Sequence, residues 1–202
     1  MNVNSTYLAE LICTRISHDL IGNIGALSAA LELIDENDNV LDEDTKKILS
    51  TATQTLKARQ KFFRLAFGLD TKKIDKEELF TTGTEYLQTL GNNQYPLTFE
   101  CENFSPDFAK IYCLCLMCGA ELCIKGGQIT IGINKEHLKI SVISPHKLSA
   151  LKIEAYQKII TGTVPEENTS QYIQLLYLKE ILGAEIPIKL TATEQTCELI
   201  IG

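Results

Sequence analysis

Two long helical patterns at the start of the chain constrain its fold more than any other feature. From about Asn4 to Ile34, apolar residues recur in steps of three and four, as in an amphipathic helix with one buried stripe: Cys13, Ile16, Leu20, Ile24, Leu27, Leu31 and Ile34. After polar residues 35–39, a second pattern runs from Asp42, a good N-cap, to Gly68. A lone antiparallel pair cannot cover both apolar faces. We therefore predict a homodimer through residues 1–69, in which two hairpins form a four-helix bundle.

His18 lies on the opposite side of the first helix from this stripe. It is two residues from both Ile16 and Leu20, and each residue turns the helix by about 100°. We therefore expect the imidazole in solvent. The small residues that follow on its face are Gly22, Gly25 and Ala29. They clear side-chain bulk from that face, so a partner surface could approach the imidazole closely.

The neighbours of His18 suit phosphoryl transfer. A neutral imidazole nitrogen is a nucleophile, and the carboxylate of Asp19 can hydrogen-bond the other ring nitrogen and fix the tautomer. Arg15 precedes His18 by three residues, so we expect it on the same face, where a cation can steady phosphoryl oxygens. The alternative interpretation is a surface histidine between ordinary neighbours, because spacing alone does not separate the two.

The sequence around His18 resembles a motif of a known protein family. The run S-H-D-L-I-G-N-I-G-A-L resembles the phospho-acceptor box of two-component histidine kinases. It is more similar still to the box of bacterial histidine phosphotransferases of the ChpT type, which reads approximately R-x-C-H-D-L-x-S-P-x-G-A-I. The matching residues are Arg15, His18, Asp19, Leu20, Gly25 and Ala26. Gly22-Asn23 departs from the Ser-Pro of that family, whose proline tends to bend the helix; Gly22 could still allow a bend.

The rest of the chain predicts a second domain of mixed helix and strand. After a linker at 70–75, residues 75–202 contain in order a helix, a strand, a cysteine-rich helix, a β-hairpin, two helices and two strands. The cysteine-rich helix is expected at 105–124, with Ser105 as its cap, and the hairpin at 128–143. The fold class is therefore α+β, with helices on one face of a small mixed sheet. Behind a histidine-bearing hairpin, this order resembles the ATP-binding domain of histidine kinases.

The nucleotide motifs of such a domain are missing. The helix 105–124, which corresponds to the one that holds Mg²⁺ through an asparagine, contains no asparagine. Where an Asp-x-Gly-x-Gly turn would recognise adenine, the chain has Ser144-Pro-His-Lys-Leu-Ser149. The segment 161–168, in the place of the glycine-rich phosphate lid, has one glycine and two glutamates. The resemblance therefore implies a degenerate ATPase-like domain without productive ATP binding, as in ChpT-type proteins.

Composition excludes several other classes. A net charge of −7 argues against nucleic-acid binding, and no signal peptide or membrane span is evident, so we expect a cytoplasmic protein.

Four of the seven cysteines cluster at 113–123, but helical geometry turns Cys113 and Cys115 apart by about 200°, so they cannot share one metal ion. Small core residues are the better interpretation, and a metal or redox role is the remote alternative.

The resemblance implies a relay. His18 would accept a phosphoryl group from a receiver-domain aspartate of a hybrid histidine kinase and pass it to the aspartate of a response regulator. Asp19 would orient the ring, Arg15 would steady the phosphate, and the receivers would bring the Mg²⁺, so no cofactor of the chain's own is expected. The partner-binding residues would be Leu11, Gly22, Asn23, Gly25 and Ala26. Basic residues of the second helix could steer the acidic partner: Lys46, Lys47, Lys57, Arg59, Lys61 and Arg64.

Two rival functions stay open at this level. One is a histidine kinase with a divergent ATP site, which measurable ATP binding would support. The other is a non-catalytic dimeric scaffold that only docks receivers, which would keep full signalling after His18→Ala. The other histidines, His137 and His146, are expected at the surface.

Overall fold

The computed structural model describes residues 4–69, 74–91, 94–133, 137–183 and 186–202. It begins with two helices packed side by side, α1 at Ser5–Glu36 and α2 at Glu43–Phe67. The Asn4 carboxamide oxygen caps α1 by accepting from the backbone N–H of Thr6 at 2.7 Å. Asp42 caps α2 by accepting from the N–H of Thr45 at 2.7 Å. Both predicted helix starts are confirmed, and α1 is one continuous helix across positions 22–23.

The predicted buried stripe of α1 is covered only in part in the single chain. Ile16 and Leu20 are half-buried against the core. Cys13 is exposed, and Ile24 and Leu31 are 51% and 57% exposed. The residues of α1 that are buried lie on a different face: Leu8, Leu11, Arg15 and Ala30. The reason is tertiary, because α1 packs against the helix at Ile173–Leu182 and the 3₁₀ turn at Thr169–Tyr172 as well as against α2. Periodicity located the helix but could not tell which side its neighbours would cover.

The remaining elements follow the predicted order. They are α3 at Lys76–Gln88, β1 at Leu97–Glu102, α4 at Ala109–Leu122, β2 at Gly127–Ile133, β3 at Leu138–Ile143, α5 at Ala150–Ile160, α6 at Ile173–Leu182, β4 at Ile188–Ala192 and β5 at Thr196–Ile201. Short 3₁₀ turns at Pro106–Phe108 and Thr169–Tyr172 precede α4 and α6. Ser105 makes no side-chain cap, contrary to the expectation, because the chain enters α4 through the first of these turns. Most of the predicted linker 70–75 and of the hairpin turn lies outside the described residues.

The five strands form one mixed sheet in the order β1-β2-β3-β5-β4. β1 and β2 are parallel, with Leu97 opposite Gly127, and the other neighbouring pairs are antiparallel. β2 and β3 pair from Gln128 with Ile143 to Ile133 with Leu138, so the predicted hairpin pairing is confirmed. Buried and more exposed residues alternate along β3 and β5, because helices cover one face of the sheet and the other faces solvent. The α+β class is therefore confirmed.

Helix α4 lies at the centre of the core. Its cysteines are buried thiols, as expected of small core residues, and desolvation raises the pKa of each above the ordinary thiol value. Gly119 lets the helix lie close to the sheet, because a Cβ there would be 2.6 Å from Cγ2 of Ile129. No three His, Cys, Asp or Glu side chains of the described ranges are grouped so that they could hold a metal ion.

The hairpin and the second half are joined through a common apolar cluster. The buried rings of Phe62 on α2 and Tyr86 on α3 stack with centroids 3.8 Å apart. Phe67, at the end of α2, contacts Tyr177 of α6 with ring centroids 6.0 Å apart. The C-terminal part of α2 is therefore packed against α3, α4 and α6. Within the part of the chain that is described, no helix is both long and apolar enough to span a bilayer.

Candidate phosphotransfer site

His18 lies in the middle of α1 with its imidazole in solvent, as predicted. Its side chain is 79% exposed. The ring nitrogen Nδ1 is 3.3 Å from Oδ1 of Asp19. An ionised carboxylate only accepts hydrogen bonds, so a neutral His18 donates from Nδ1 in this contact and keeps Nε2 unprotonated. The geometry therefore presents a nucleophilic nitrogen on the exposed side of the ring.

Asp19 is held by hydrogen bonds from residues of α1 and of α2. Its side chain is only 12% exposed. Oδ2 accepts from Nε of Arg15 at 2.7 Å, while Oδ1 faces His18. The backbone carbonyl of Asp19 also accepts a hydrogen bond from Nη1 of Arg59 on α2. With these contacts the carboxylate is fixed and oriented before any partner arrives.

Arg15 lies one turn before His18 on the same side of α1, as expected, but its side chain is buried instead of lying in solvent beside the imidazole. Arg15 is 7% exposed. Its Nη2 donates to Oε1 of Glu121 at 2.8 Å, and its Nη1 donates to the carbonyl of Gln171 at 3.3 Å. Burial alone would lower the pKa of Arg15, but the negative charges of Glu121 and Asp19 outweigh it and keep the pKa above its ordinary value. The guanidinium is a permanent buried cation that holds Asp19, and it is not placed where a phosphoryl group could bind.

Arg59 also differs from its expected place on a basic surface. It is half-buried at the junction of α2 and α3, where Nε and Nη2 donate to the hydroxyl and the carbonyl of Thr89, both at 3.1 Å. Its role is to tie the backbone of Asp19 to the end of α3. The other basic residues of α2 are exposed, as predicted: Lys46, Lys47, Lys57, Lys61 and Arg64.

Sequence reasoning missed two charged residues of the second half that belong to this site. Glu121 on α4 pairs with Arg15 through Oε1, and its Oε2 lies 2.9 Å from Nζ of Lys152 on α5. One signal was available in the sequence. Glu121 is the only acidic residue in α4, which is otherwise almost entirely apolar, and a carboxylate in such a helix needs a cationic neighbour.

The structure divides the predicted partner-binding residues. Gly22 and Gly25 are exposed, and a Cβ on either would meet nothing within 4 Å. Asn23 and Ala26 are half-buried on the same stretch of α1. Leu11 is 8% exposed and belongs to the apolar core, so its assignment to an accessible docking surface is wrong. The exposed surface of α1 near His18 therefore begins at the histidine and continues toward the C-terminal end of the helix.

Comparison with known proteins shows what the whole chain is similar to. No protein-family model matches the chain. A solved structure described as a bacterial phosphotransferase shares the fold, with a TM-score of 0.77, 24% identity, and coverage of 100% of this chain and 98% of that one. The chain therefore shares the fold of that structure.

The more particular likeness is to the protein phosphotransferase ChpT of Brucella abortus (strain 2308). That protein is 26% identical over 197 residues, which cover 93% of this chain and 92% of the relative. The resemblance to ChpT-type phosphotransferases that the sequence suggested is confirmed. The histidine kinase AdeS of Acinetobacter baumannii is a weaker match, with a TM-score of 0.48 and 10% identity over 91% of this chain and 95% of that one, and we draw no conclusion from it.

Proposed function

We propose that this protein is a histidine phosphotransferase of a multistep phosphorelay, with His18 as the phosphoryl carrier. One observation carries the proposal: an exposed imidazole whose Nδ1 contacts a largely buried carboxylate that is also bound by Arg15. The likeness to ChpT supports the class of reaction. The donor would be a phosphorylated aspartate on the receiver domain of a hybrid histidine kinase, and the acceptor an aspartate on the receiver of a response regulator.

Each transfer is an in-line displacement at phosphorus. Nε2 of His18 forms a bond to phosphorus while the bond from phosphorus to the donor carboxylate oxygen breaks, which leaves a free carboxylate on the donor. The ring becomes cationic as the N–P bond forms, and the Asp19 carboxylate on Nδ1 stabilises that charge. The second transfer reverses these bonds with a new carboxylate as nucleophile. The Mg²⁺ that neutralises the phosphoryl oxygens would be supplied by the receivers.

Two exposed surfaces suit a receiver, one on α1 beside His18 and one between α2 and α3. Gly22 and Gly25 leave the adjacent turns of α1 free of bulk, and Asn23 and Ala26 border them. On α2, the exposed Lys57 and Lys61 line a cleft between α2 and α3. An acidic receiver site would be attracted to these lysines although the whole chain carries a charge of −7. We expect no nucleic-acid or membrane partner.

We further propose that the active form is a homodimer. The half of α1 beyond His18 keeps large apolar side chains of the predicted stripe in solvent in the single chain, with Ile24 51% exposed and Leu31 57% exposed. Ile48 on α2 is 41% exposed. Water contact with so many apolar side chains on one hairpin is unfavourable, and a second copy of the hairpin would cover them in a four-helix bundle.

The space between α4 and the sheet argues against the histidine-kinase alternative. In the kinases that the chain resembles, the helix that corresponds to α4 holds Mg²⁺ through an asparagine, so a nucleotide would lie against this helix. Here the cavity bounded by α4, α5, β3 and β5 measures about 10 Å³, whereas small-molecule pockets measure about 300–1,000 Å³. Tyr156 of α5 is fully buried against it and donates a hydrogen bond to the carbonyl of Cys118 at 3.2 Å. A nucleotide would have to displace this core side chain, so we propose that the protein does not use ATP.

A transfer assay tests the main proposal. The full chain is mixed with a phosphorylated receiver domain, and label is followed on the wild type, on His18→Gln and on His146→Gln, an exposed histidine away from the site. We expect acid-labile label on the wild type and His146→Gln only. If His18→Gln is labelled equally, the carrier is another residue. If no variant is labelled although the receiver binds, the scaffold becomes the better account.

A further inference from the structure

A row of four side chains of alternating charge connects the site on α1 to the second half of the protein. Arg15 lies between the carboxylates of Asp19 and Glu121, at 2.7 and 2.8 Å, and Glu121 lies between Arg15 and Lys152, at 2.8 and 2.9 Å. Lys152 is held in turn by the side-chain oxygen of Gln171 at 2.8 Å and lies 4.9 Å from the ring centroid of Tyr172. The two positive and two negative charges of these four side chains balance, so each charged group has an opposite charge beside it.

The contacts of Arg15 decide which oxygen of Asp19 remains for His18. Glu121 takes Nη2 of the guanidinium and the Gln171 carbonyl takes Nη1, which leaves Nε for Asp19. Asp19 is therefore bound through Oδ2 alone, and Oδ1 faces Nδ1 of His18. Guanidinium and carboxylate groups readily form a two-pronged contact when both are free to do so. Without the negative charge of Glu121, Asp19 is the stronger acceptor for Nη2, so Arg15 could turn Nη2 onto Asp19 and draw Oδ1 away from the imidazole.

We propose that Glu121, held by Lys152, is a positioning residue for phosphotransfer, which keeps Arg15 on a single oxygen of Asp19 so that the other oxygen stays on His18. The inference rests on the proposed function for its consequence, although the geometry does not depend on it. It assigns a task to the second half of the chain: α4 and α5 set the tautomer of a histidine on α1.

The test compares Glu121→Gln with Glu198→Gln in the full-length protein. Glu198 makes an ion pair with Lys139 at 2.7 Å, but both side chains are about half exposed on the sheet, so the control removes an equal charge away from the site. The readout is the ¹⁵N signals of the His18 ring in histidine-labelled protein at a pH where the ring is neutral, assigned with His18→Gln. These signals report which ring nitrogen carries the proton.

We expect the wild type and Glu198→Gln to keep the proton on Nδ1, and Glu121→Gln to give a mixture of both tautomers. The transfer rate of Glu121→Gln should fall about tenfold, the factor that corresponds to one lost hydrogen bond. In an Arg15→Gln background the same substitution should change the ring signals little, because Glu121 acts through Arg15. Unchanged His18 ring signals in folded Glu121→Gln would overturn the proposal.

The role of Glu121 can be decided separately from the proposed function and from any loss of folding. The ring measurement needs no receiver, so it decides the role of Glu121 even if the wild type takes up no label, which would overturn only the proposed function. If Glu121→Gln does not fold, Glu121→Asp replaces it, because the shorter side chain keeps the charge but withdraws the carboxylate from Nη2 of Arg15. A smaller shift of the same ring signals is then expected, and unchanged signals would again contradict the inference.

Discussion

Replacing Asp19 by asparagine tests the chemical core of the site, because it removes one charge and almost no volume. In the wild type, Oδ2 accepts from Arg15 and Oδ1 accepts from Nδ1 of His18. In the variant, the amide oxygen would stay on Arg15, since a guanidinium can only donate. The amide nitrogen would then face His18 and, being a donor, would force Nδ1 to accept. The ring proton would move to Nε2, the atom that must attack phosphorus.

The size of the effect follows from these contacts. A hydrogen bond to a charged group contributes about 1.5–3 kcal/mol, and each 1.36 kcal/mol of barrier is a factor of ten. Loss of the Asp19 contact in the transition state should therefore slow transfer to His18 by about 10- to 150-fold. Arg15 keeps Glu121 as a partner and the amide oxygen still accepts from it, so the free energy of unfolding should fall by only about 1 kcal/mol.

The assay is rapid-quench labelling of His18 by a phosphorylated receiver, together with chemical denaturation of each variant. Asp35→Asn, on an exposed position of the same helix, is the matched control and should transfer at the wild-type rate. The reasoning is refuted if Asp19→Asn transfers as fast as the wild type. It is also refuted if Asp35→Asn is slowed as much, because the effect would then come from net charge and not from the contact with His18.

The other predictions concern the surfaces of the hairpin. Ile24→Glu should convert the proposed homodimer to monomer without unfolding it, because Ile24 is already 51% exposed in the single chain; Leu151→Glu, at a 78% exposed position on α5, should leave the dimer intact. Sedimentation velocity measures both, and a monomeric wild type would contradict the proposal. Gly25→Ala should raise the free energy of unfolding by about 1 kcal/mol, because the helix gains alanine and the new Cβ meets nothing. The same variant should bind a receiver more weakly, as measured by calorimetry, and unchanged affinity would remove Gly25 from the docking surface.

Much of the helical framework could be predicted from the sequence because its determinants are local. Asn4 and Asp42 cap α1 and α2 through backbone groups only two or three residues away. The exposure of His18 follows from its angle on the helix relative to Ile16 and Leu20. The hairpin pairing of β2 and β3 follows from two short β-prone runs joined by a turn. Each of these features is decided within a few residues along the chain.

The roles of the charged residues could not be predicted in that way. The sequence showed that Arg15 is near His18, but its partner Glu121 is 106 positions further along the chain. Arg59 was grouped with exposed lysines of α2, and only the packing of α3 against α2 brings Thr89 to it. Leu11 likewise belongs to the core because the second half of the chain covers it.

The sequence by itself thus determined the helices, the strand order along the chain and the exposure of His18, because backbone hydrogen bonding and side-chain periodicity act over a few residues. The tertiary structure alone decided which face of α1 is buried and which cations and carboxylates meet around Asp19. Burying a charge is unfavourable unless an opposite charge is brought to it, and only the folded arrangement of α1, α4 and α5 brings those groups together.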